Sequence, residues 1–371
     1  MNRMMIAAAA LAAMAGAASA ADLELNLLRQ INVSGAVAST NPERIGSNVS
    51  AVAWNGSKLY IGGFNQSGGA ISTGIAEISD PLGAATIGPR FGGLSTPNLR
   101  GFSGLAIQGN RLAAGCDTGA AVAGGYATFD TAANTAVASK NLRGFTGPAF
   151  DPGFAGSAPS AGNVAFSGTG SGRRGVFNTD TGADIYALGA GMIWNNNPAG
   201  ATPAPGTNNR DIAFDSFTGD IYGRAANAII KGVRSGDNSI SNAGGTAIYV
   251  NYGAGGQGTA SNTNQQNLSL MDLGSLGKFV IFNDRPTSQS ASFTSAIKAI
   301  DTNGVAQSIN FNGFNITSST SAFDFSYDAV SRTLAVSDFS NSNVYIFSVV
   351  PAPSALALMG LGGLVAGRRR R

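Results

Sequence analysis

Phe214-Asp215-Ser216-Phe217-Thr218-Gly219-Asp220-Ile221-Tyr222 states the fold in nine residues. An apolar residue ends one strand, Asp and Gly supply the reversal, and Ile221-Tyr222 open the next strand. The same phrase recurs as Trp54-Asn55-Gly56-Ser57-Lys58-Leu59-Tyr60-Ile61, as Ile107-Gln108-Gly109-Asn110-Arg111-Leu112-Ala113 and as Phe150-Asp151-Pro152-Gly153-Phe154. Looser copies are Met271-Asp272 leading to Phe279-Val280-Ile281, and Tyr327-Asp328 leading to Leu334-Ala335-Val336. The leading residues stand at 54, 107, 150, 214, 271 and 327, separated by 53, 43, 64, 57 and 56 residues. A direct duplication shares this register: Asn98-Leu99-Arg100-Gly101-Phe102-Ser103-Gly104 returns as Asn141-Leu142-Arg143-Gly144-Phe145-Thr146-Gly147.

Each copy is a hairpin, and a hairpin alone buries too little to stand in water. Units of this length that cover one another's apolar faces are the mark of propeller blades. The expected fold is therefore all-β, a β-propeller over residues 21–349, with six blades from a mean spacing of about 55 and seven as the neighbouring solution. A two-sheet sandwich array and a β-solenoid are the alternatives, since Gly- and Ser-rich strands hold register weakly. The aromatic-Asp-turn-strand phrase resembles the blades of Kelch-like and NHL-like propellers, which implies a fold and no functional residues.

Composition agrees. The chain has 371 residues, 43% hydrophobic and only 12% charged, with 52 Gly. It contains 3 Glu and 5 Lys, so the residues that clothe exposed helix faces are nearly absent. There is no His and one Cys, which removes the commonest general base, the commonest zinc ligands and any internal disulfide. Cys116 reads as a small apolar core residue.

The two ends read as addresses. Asn2-Arg3 precede an apolar run from Met4 to Ala17, too short for a bilayer span, and Ala18-Ser19-Ala20 provide the small side chains a signal peptidase needs. Residues 1–20 are thus expected to be a signal helix, with cleavage between Ala20 and Ala21. At the other end stand Val350-Pro351-Ala352-Pro353-Ser354, then an apolar stretch from Ala355 to Gly367, then Arg368, Arg369, Arg370 and Arg371, which halt transfer across a membrane. Over residues 350–371 this arrangement resembles the PEP-CTERM sorting signal, with Ala352 where that family usually has Glu. The resemblance implies export, a transient transmembrane sorting helix, an exosortase-type membrane transpeptidase as partner, and a final place at the cell surface or outside, often beside exopolysaccharide.

Loss of both ends takes five of the 23 basic residues, leaving 18 against 20 acidic, formally −2. Such a chain has no general pull toward nucleic acid, and none is expected as a partner. Candidate chemistry is thin. Gly170 to Gly175 and Gly253 to Gly258 match a phosphate-cradling glycine pattern, but no helix follows either. Asn178, Asp180 and Asp184 offer three oxygen donors, so calcium is the one ion considered, although the glycine and terminal glutamate of a calcium loop are missing. No other cofactor is expected. Arg100, Arg143 and Arg210 precede comparable strands and are the candidate contacts for an anionic sugar, with blade-to-blade hydrogen bonding as the plainer role. No facing pair of carboxylates can be nominated for glycosidase-type work, because Glu24, Glu43 and Glu77 lie near the mature start and most Asp residues are tied to turns. The functional expectation is a non-catalytic binding or scaffold module of the extracellular matrix. The alternatives are a secreted polysaccharide- or phosphate-ester-cleaving propeller and a lectin or adhesin.

Overall fold

In five of the six units the polar residue that follows the leading apolar residue caps a tight turn, the unit led by Ile107 being the exception. Asn55 Oδ1 accepts the N–H groups of Ser57 (3.1 Å) and Lys58 (2.8 Å), and Asp215 Oδ1 those of Phe217 (2.8 Å) and Thr218 (2.9 Å). Asp272 and Asp328 do the same for Gly274 (2.8 Å) and Ser331 (2.7 Å). These short-range bonds satisfy turn amides that would otherwise need water, which is why Asn and Asp mark the reversals.

The computed structural model describes residues 23–38, 45–46, 48–64, 74–91, 101–116, 125–141, 145–154, 163–168, 175–178, 209–225, 228–234, 245–250, 267–283, 296–314 and 322–351. Five sheets follow in chain order. The first holds β2 (Asn48–Trp54), β3 (Lys58–Phe64), β4 (Ile75–Ser79) and β5 (Thr86–Phe91). The second has seven strands: β6 (Phe102–Gln108), β7 (Arg111–Cys116), β8 (Gly125–Asp130), β9 (Thr135–Asn141), β10 (Phe145–Phe150), β11 (Asn163–Gly168) and β12 (Gly175–Asn178). The third holds β13 (Asn209–Phe214), β14 (Ile221–Ala225), β15 (Ala228–Gly232) and β16 (Gly245–Val250). The fourth holds β17 (Leu268–Asp272), β18 (Lys278–Asn283), β19 (Ile297–Asp301) and β20 (Ala306–Gln307). The fifth contains β22 (Ala322–Asp328), β23 (Thr333–Asp338), β24 (Asn343–Pro351), β1 (Leu23–Asn32) and β21 (Ile309–Asn312), with β22 at one edge and β21 at the other.

The strands β2, β6, β10, β13, β17 and β22 lie against one another in turn, and β22 returns to β2, so the chain is a closed β-propeller. Among the described residues its sheets number five, a correction to the six or seven separate blades expected. The units led by Ile107 and Phe150 share one sheet because their duplicated segments place Phe102 and Phe145 opposite the same residue, Cys116. The 43-residue step between those two leads, the shortest of the series, is the trace of this in the sequence. Close approach is possible because Gly104 and Gly115 have no side chain: a Cβ on Gly104 would lie 2.7 Å from the Thr146 carbonyl oxygen, and one on Gly115 would overlap it.

Closure joins the first and last described strands. β1 pairs antiparallel with β24, from Leu23 opposite Pro351 to Asn32 opposite Asn343, and parallel with β21. The cores fill the spaces between sheets. One cluster joins Leu25, Ile281, Val336 and Phe347 from the fourth and fifth sheets, another joins Val52 and Ile61 to Ile346, and a third joins Tyr60 to Phe102 and Phe129. Burial on both faces explains why these strands read as apolar runs more than as strict alternation.

Candidate functional site

Pairing slips in the inner strands between Val49 and Ala51, Phe102 and Gly104, Phe145 and Pro148, Asn209 and Asp211, and Ala322 and Phe325. Each irregularity falls three or four residues before the leading apolar residue. A bulge re-aims the side chain beside it, and here the residues at that level are polar and buried: Ser50, Ser103, Thr146, Asp211 and Asp324, with Asn267 at the head of β17. They tie neighbouring strands together. Ser50 Oγ donates to the Phe102 carbonyl (2.5 Å), Asn267 Nδ2 to the Ser103 carbonyl (3.2 Å) and to Asp324 Oδ1 (2.9 Å). Asp324 Oδ2 accepts the Val52 N–H (2.8 Å), and Asp211 Oδ2 the Leu268 N–H (2.9 Å).

This polar girdle floors a central funnel. The cavity is about 440 Å³, with Asp211 and Asp324 at its end and Ile107, Phe150, Phe214, Leu270 and Tyr327, all half-buried, forming an apolar collar above. The exposed Gln108, Ser216 and Ala329 mark the open end. At that mouth Lys278 Nζ lies 2.7 Å from both oxygens of Asp215 and 3.4 Å from Asp272 Oδ2, and the Tyr327 hydroxyl donates to the Asp272 carbonyl (3.2 Å). Burial works against the ionised Asp215, but the Lys278 ammonium and two turn amides outweigh it and hold the carboxyl below its usual range. A volume of this size with apolar walls and a few convergent polar groups is that of a small-molecule site.

The floor carboxyls go the other way. Burial pushes Asp211 well up, the charge of Asp324 pushes it further, and the two N–H groups it accepts do not compensate. Asp324 is raised by burial to about 7, opposed by the amides of Val52, Phe325 and Leu105 and by Asn267. Both carboxyls therefore hold a proton more tightly than an ordinary carboxylate, Asp211 with fewer donors to oppose its burial than Asp324. The folded chain then binds protons that the unfolded chain has released, so stability falls as pH rises from about 4 through 7. Asp324 alone, raised to about 7, is expected to cost roughly 2–3 kcal/mol of urea-unfolding stability between pH 5 and pH 8, and Asp211 adds to the loss in the same direction. Asp211→Asn should flatten that slope; a wild-type stability that rises over the same interval would contradict the assignment.

Of the residues singled out from sequence, Arg210 lies in β13, and Arg100 and Arg143 lie outside the described residues. Val350 and Pro351 form the end of β24, whereas Ala18, Ala20, Ala21, Ala352, Pro353, Ser354 and Arg368 to Arg371 lie outside the described residues, as do Asp180 and Asp184. Asn178 ends β12. The sequence reading nominated no carboxylate pair, yet Asp211 and Asp324 share the funnel floor. The available signal was an acidic residue set into an otherwise apolar strand, Asp211-Ile212-Ala213-Phe214 and Phe323-Asp324-Phe325, at the same distance from the two leading residues.

No protein-family model and no curated relative matches the chain. Solved structures do match. The WD40 β-propeller domain of Doa1 aligns with TM-score 0.44 and 10% identity, covering 82% of this chain and 81% of that one. A chain of a mitotic checkpoint complex aligns with TM-score 0.47 and 8% identity over 87% and 91%. An auxiliary nutrient binding protein from Bacteroides thetaiotaomicron VPI-5482 aligns with TM-score 0.51 and 10% identity over 81% and 69%. At that identity the last likeness establishes the β-propeller fold alone.

Proposed function

We propose that this chain is an exported, surface-sorted bacterial binding module without a catalytic role, which holds a component of extracellular polysaccharide in its central funnel. The observation that carries the reading is the funnel: an apolar collar built from successive units over a polar floor, open at one end. The alignable propeller from Bacteroides bears the name of a nutrient binding protein, which accords with a propeller serving as a binding module. The ends support the sorting half of the proposal. Cleavage after Ala20 leaves only Ala21 and Asp22 ahead of β1, and the Pro-rich motif starts where β24 finishes.

Mass spectrometry of protein from cells and from medium is expected to give an N-terminus at Ala21 and a C-terminus near Pro353; a secreted pool that keeps both Met1 and Arg371 overturns the sorting scheme. For binding, calorimetric titration with oligosaccharides from the producer's own matrix is expected to saturate. Phe214→Ala, which removes one side of the collar, should weaken it roughly tenfold. Equal affinity in the variant would move the site elsewhere.

One observation favours a second reading. Two carboxyls with raised proton affinity at a cavity floor are the equipment of a general acid. A glycoside-cleaving activity lost in Asp324→Asn would establish it. Against it, both oxygens of Asp324 are taken by N–H donors from neighbouring strands, the environment of a structural clasp.

A further inference from the structure

Among the described residues the large apolar side chains that stand exposed fall on one side of the ring. Inner strands run from the girdle to the mouth and their partners alternate in direction, so the turns after the first and third strands of a sheet lie at the mouth. Those turns hold Leu82 between β4 and β5, Phe217 between β13 and β14, Leu276 between β17 and β18, Val305 between β19 and β20 and Val330 between β22 and β23. Phe217 is 67% exposed and Val330 95%, values that a merely imperfect core does not produce. Leu28, within β1, is the exception.

Both ends of the described ring, Leu23 and Pro351, lie on the same side. β24 runs parallel to β22, hence toward the mouth, and finishes at Pro351 opposite Leu23. Beyond Pro351 only Ala352, Pro353 and Ser354 precede the apolar stretch that starts at Ala355. Four Cα steps of at most ~3.6 Å keep the start of that stretch within roughly 15 Å of the mouth face. If the stretch sits in hydrocarbon, the face has no room to stand away from the bilayer.

We infer that the mouth face is a membrane-docking surface, which rests on the lipid headgroups with Phe217, Leu276 and Val330 entering the interface while the chain is tethered. This depends on the sorting reading above for the tether. The partner is lipid because the tether that starts within roughly 15 Å of this face holds it against a bilayer, and the exposed groups stand on single turns of three successive sheets. A protein partner requires a continuous complementary surface, whereas in a fluid interface each apolar side chain finds its own depth. Polysaccharide would gain little from isolated aliphatic side chains. In this pose the funnel opens toward the headgroups, and it meets bulk solvent only after release.

The test uses the full chain in vesicles of phosphatidylcholine and phosphatidylglycerol, in a Cys116→Ser background, with an environment-sensitive dye on Val330→Cys, Phe217→Cys or Leu28→Cys. Dyes at 330 and 217 are expected to shift to shorter wavelength and to be quenched roughly twofold by nitroxide-bearing lipid, with the dye at 28 unchanged. Vesicle-bound protein whose dyes at 330 and 217 behave like the dye at 28 overturns the docking surface and leaves the anchor intact. Protein that fails to join vesicles overturns the anchor, and the docking with it. A shift that appears without lipid and grows with protein concentration assigns the face to a second copy. Should the Cys116→Ser background not fold, Phe217→Trp and Leu28→Trp with brominated lipid read the same contrast.

Discussion

A chain lacking residues 23–32 is expected to lose its cooperative unfolding transition altogether. Among the described strands β1 alone pairs with both β24 and β21, so its removal cuts β21 off from the rest of the last sheet and uncovers β24. Leu23 and Leu25 are fully buried and Ile31 nearly so; each is worth roughly 2 kcal/mol of transfer free energy. Their sum reaches the order of a whole domain's ~5–15 kcal/mol stability before any ladder bond is counted. A nine-residue β24 would also become a long unprotected edge, an invitation to pair with other chains. The graded form of the experiment is Leu25→Ala. It should cost about 3 kcal/mol in urea unfolding, since Leu25 packs among Ile281, Val336 and Phe347 where little can move to fill the gap. A truncated chain that unfolds with the wild-type midpoint would show that the ring does not need its N-terminal strand.

Replacement of Arg234 by alanine is expected to cost about 3–5 kcal/mol. Arg234 follows β15 in the third sheet and Asp151 follows β10 in the second. The guanidinium meets the carboxylate twice, Nη1 to Oδ1 at 2.5 Å and Nη2 to Oδ2 at 3.2 Å, with both side chains no more than 5% exposed. The Arg234 amide donates to Asp220 Oδ1 at 3.1 Å, and a Cβ on Gly219 would collide with the Gly153 carbonyl, so the turns that carry the pair are packed closely together. Removal of the cation leaves Asp151 charged and dry, which is the expensive state; removal of both charges does not. Arg234→Met with Asp151→Leu should therefore recover most of the loss, and the double-mutant cycle gives the coupling directly. Single variants that each cost under about 1 kcal/mol would mean that water reaches the pair in solution.

The reversals show how far local information reaches. Asp215 and Asp272 cap their own turns through amides two or three residues away, so an apolar-Asp phrase reports the turn without knowledge of the rest. The Asp151-Pro152-Gly153 turn was legible for the same reason, the Asp151 carboxylate accepting the Gly153 amide at 2.8 Å. Its partner 83 residues away was not, because nothing in the spacing of Arg234 distinguishes a buried ion pair from a solvated arginine. Blade number failed on a similar point. A mean period treats units as equal, whereas two of them share a sheet through a bridge at Cys116 that depends on where their strands meet in space.

The amino-acid order by itself determined the all-β class, the hairpin unit and the turn residues, since each rests on neighbours within a few residues. Ring closure by β1, the shared second sheet, the funnel and its floor were decided by tertiary structure. Asp211 and Asp324 are 113 residues apart, and each came to feel burial, and Asp211 the charge of Asp324, only when the strands that carry them curled around one axis. Burial and proximity of that kind are properties of the closed ring, and no local pattern encodes them.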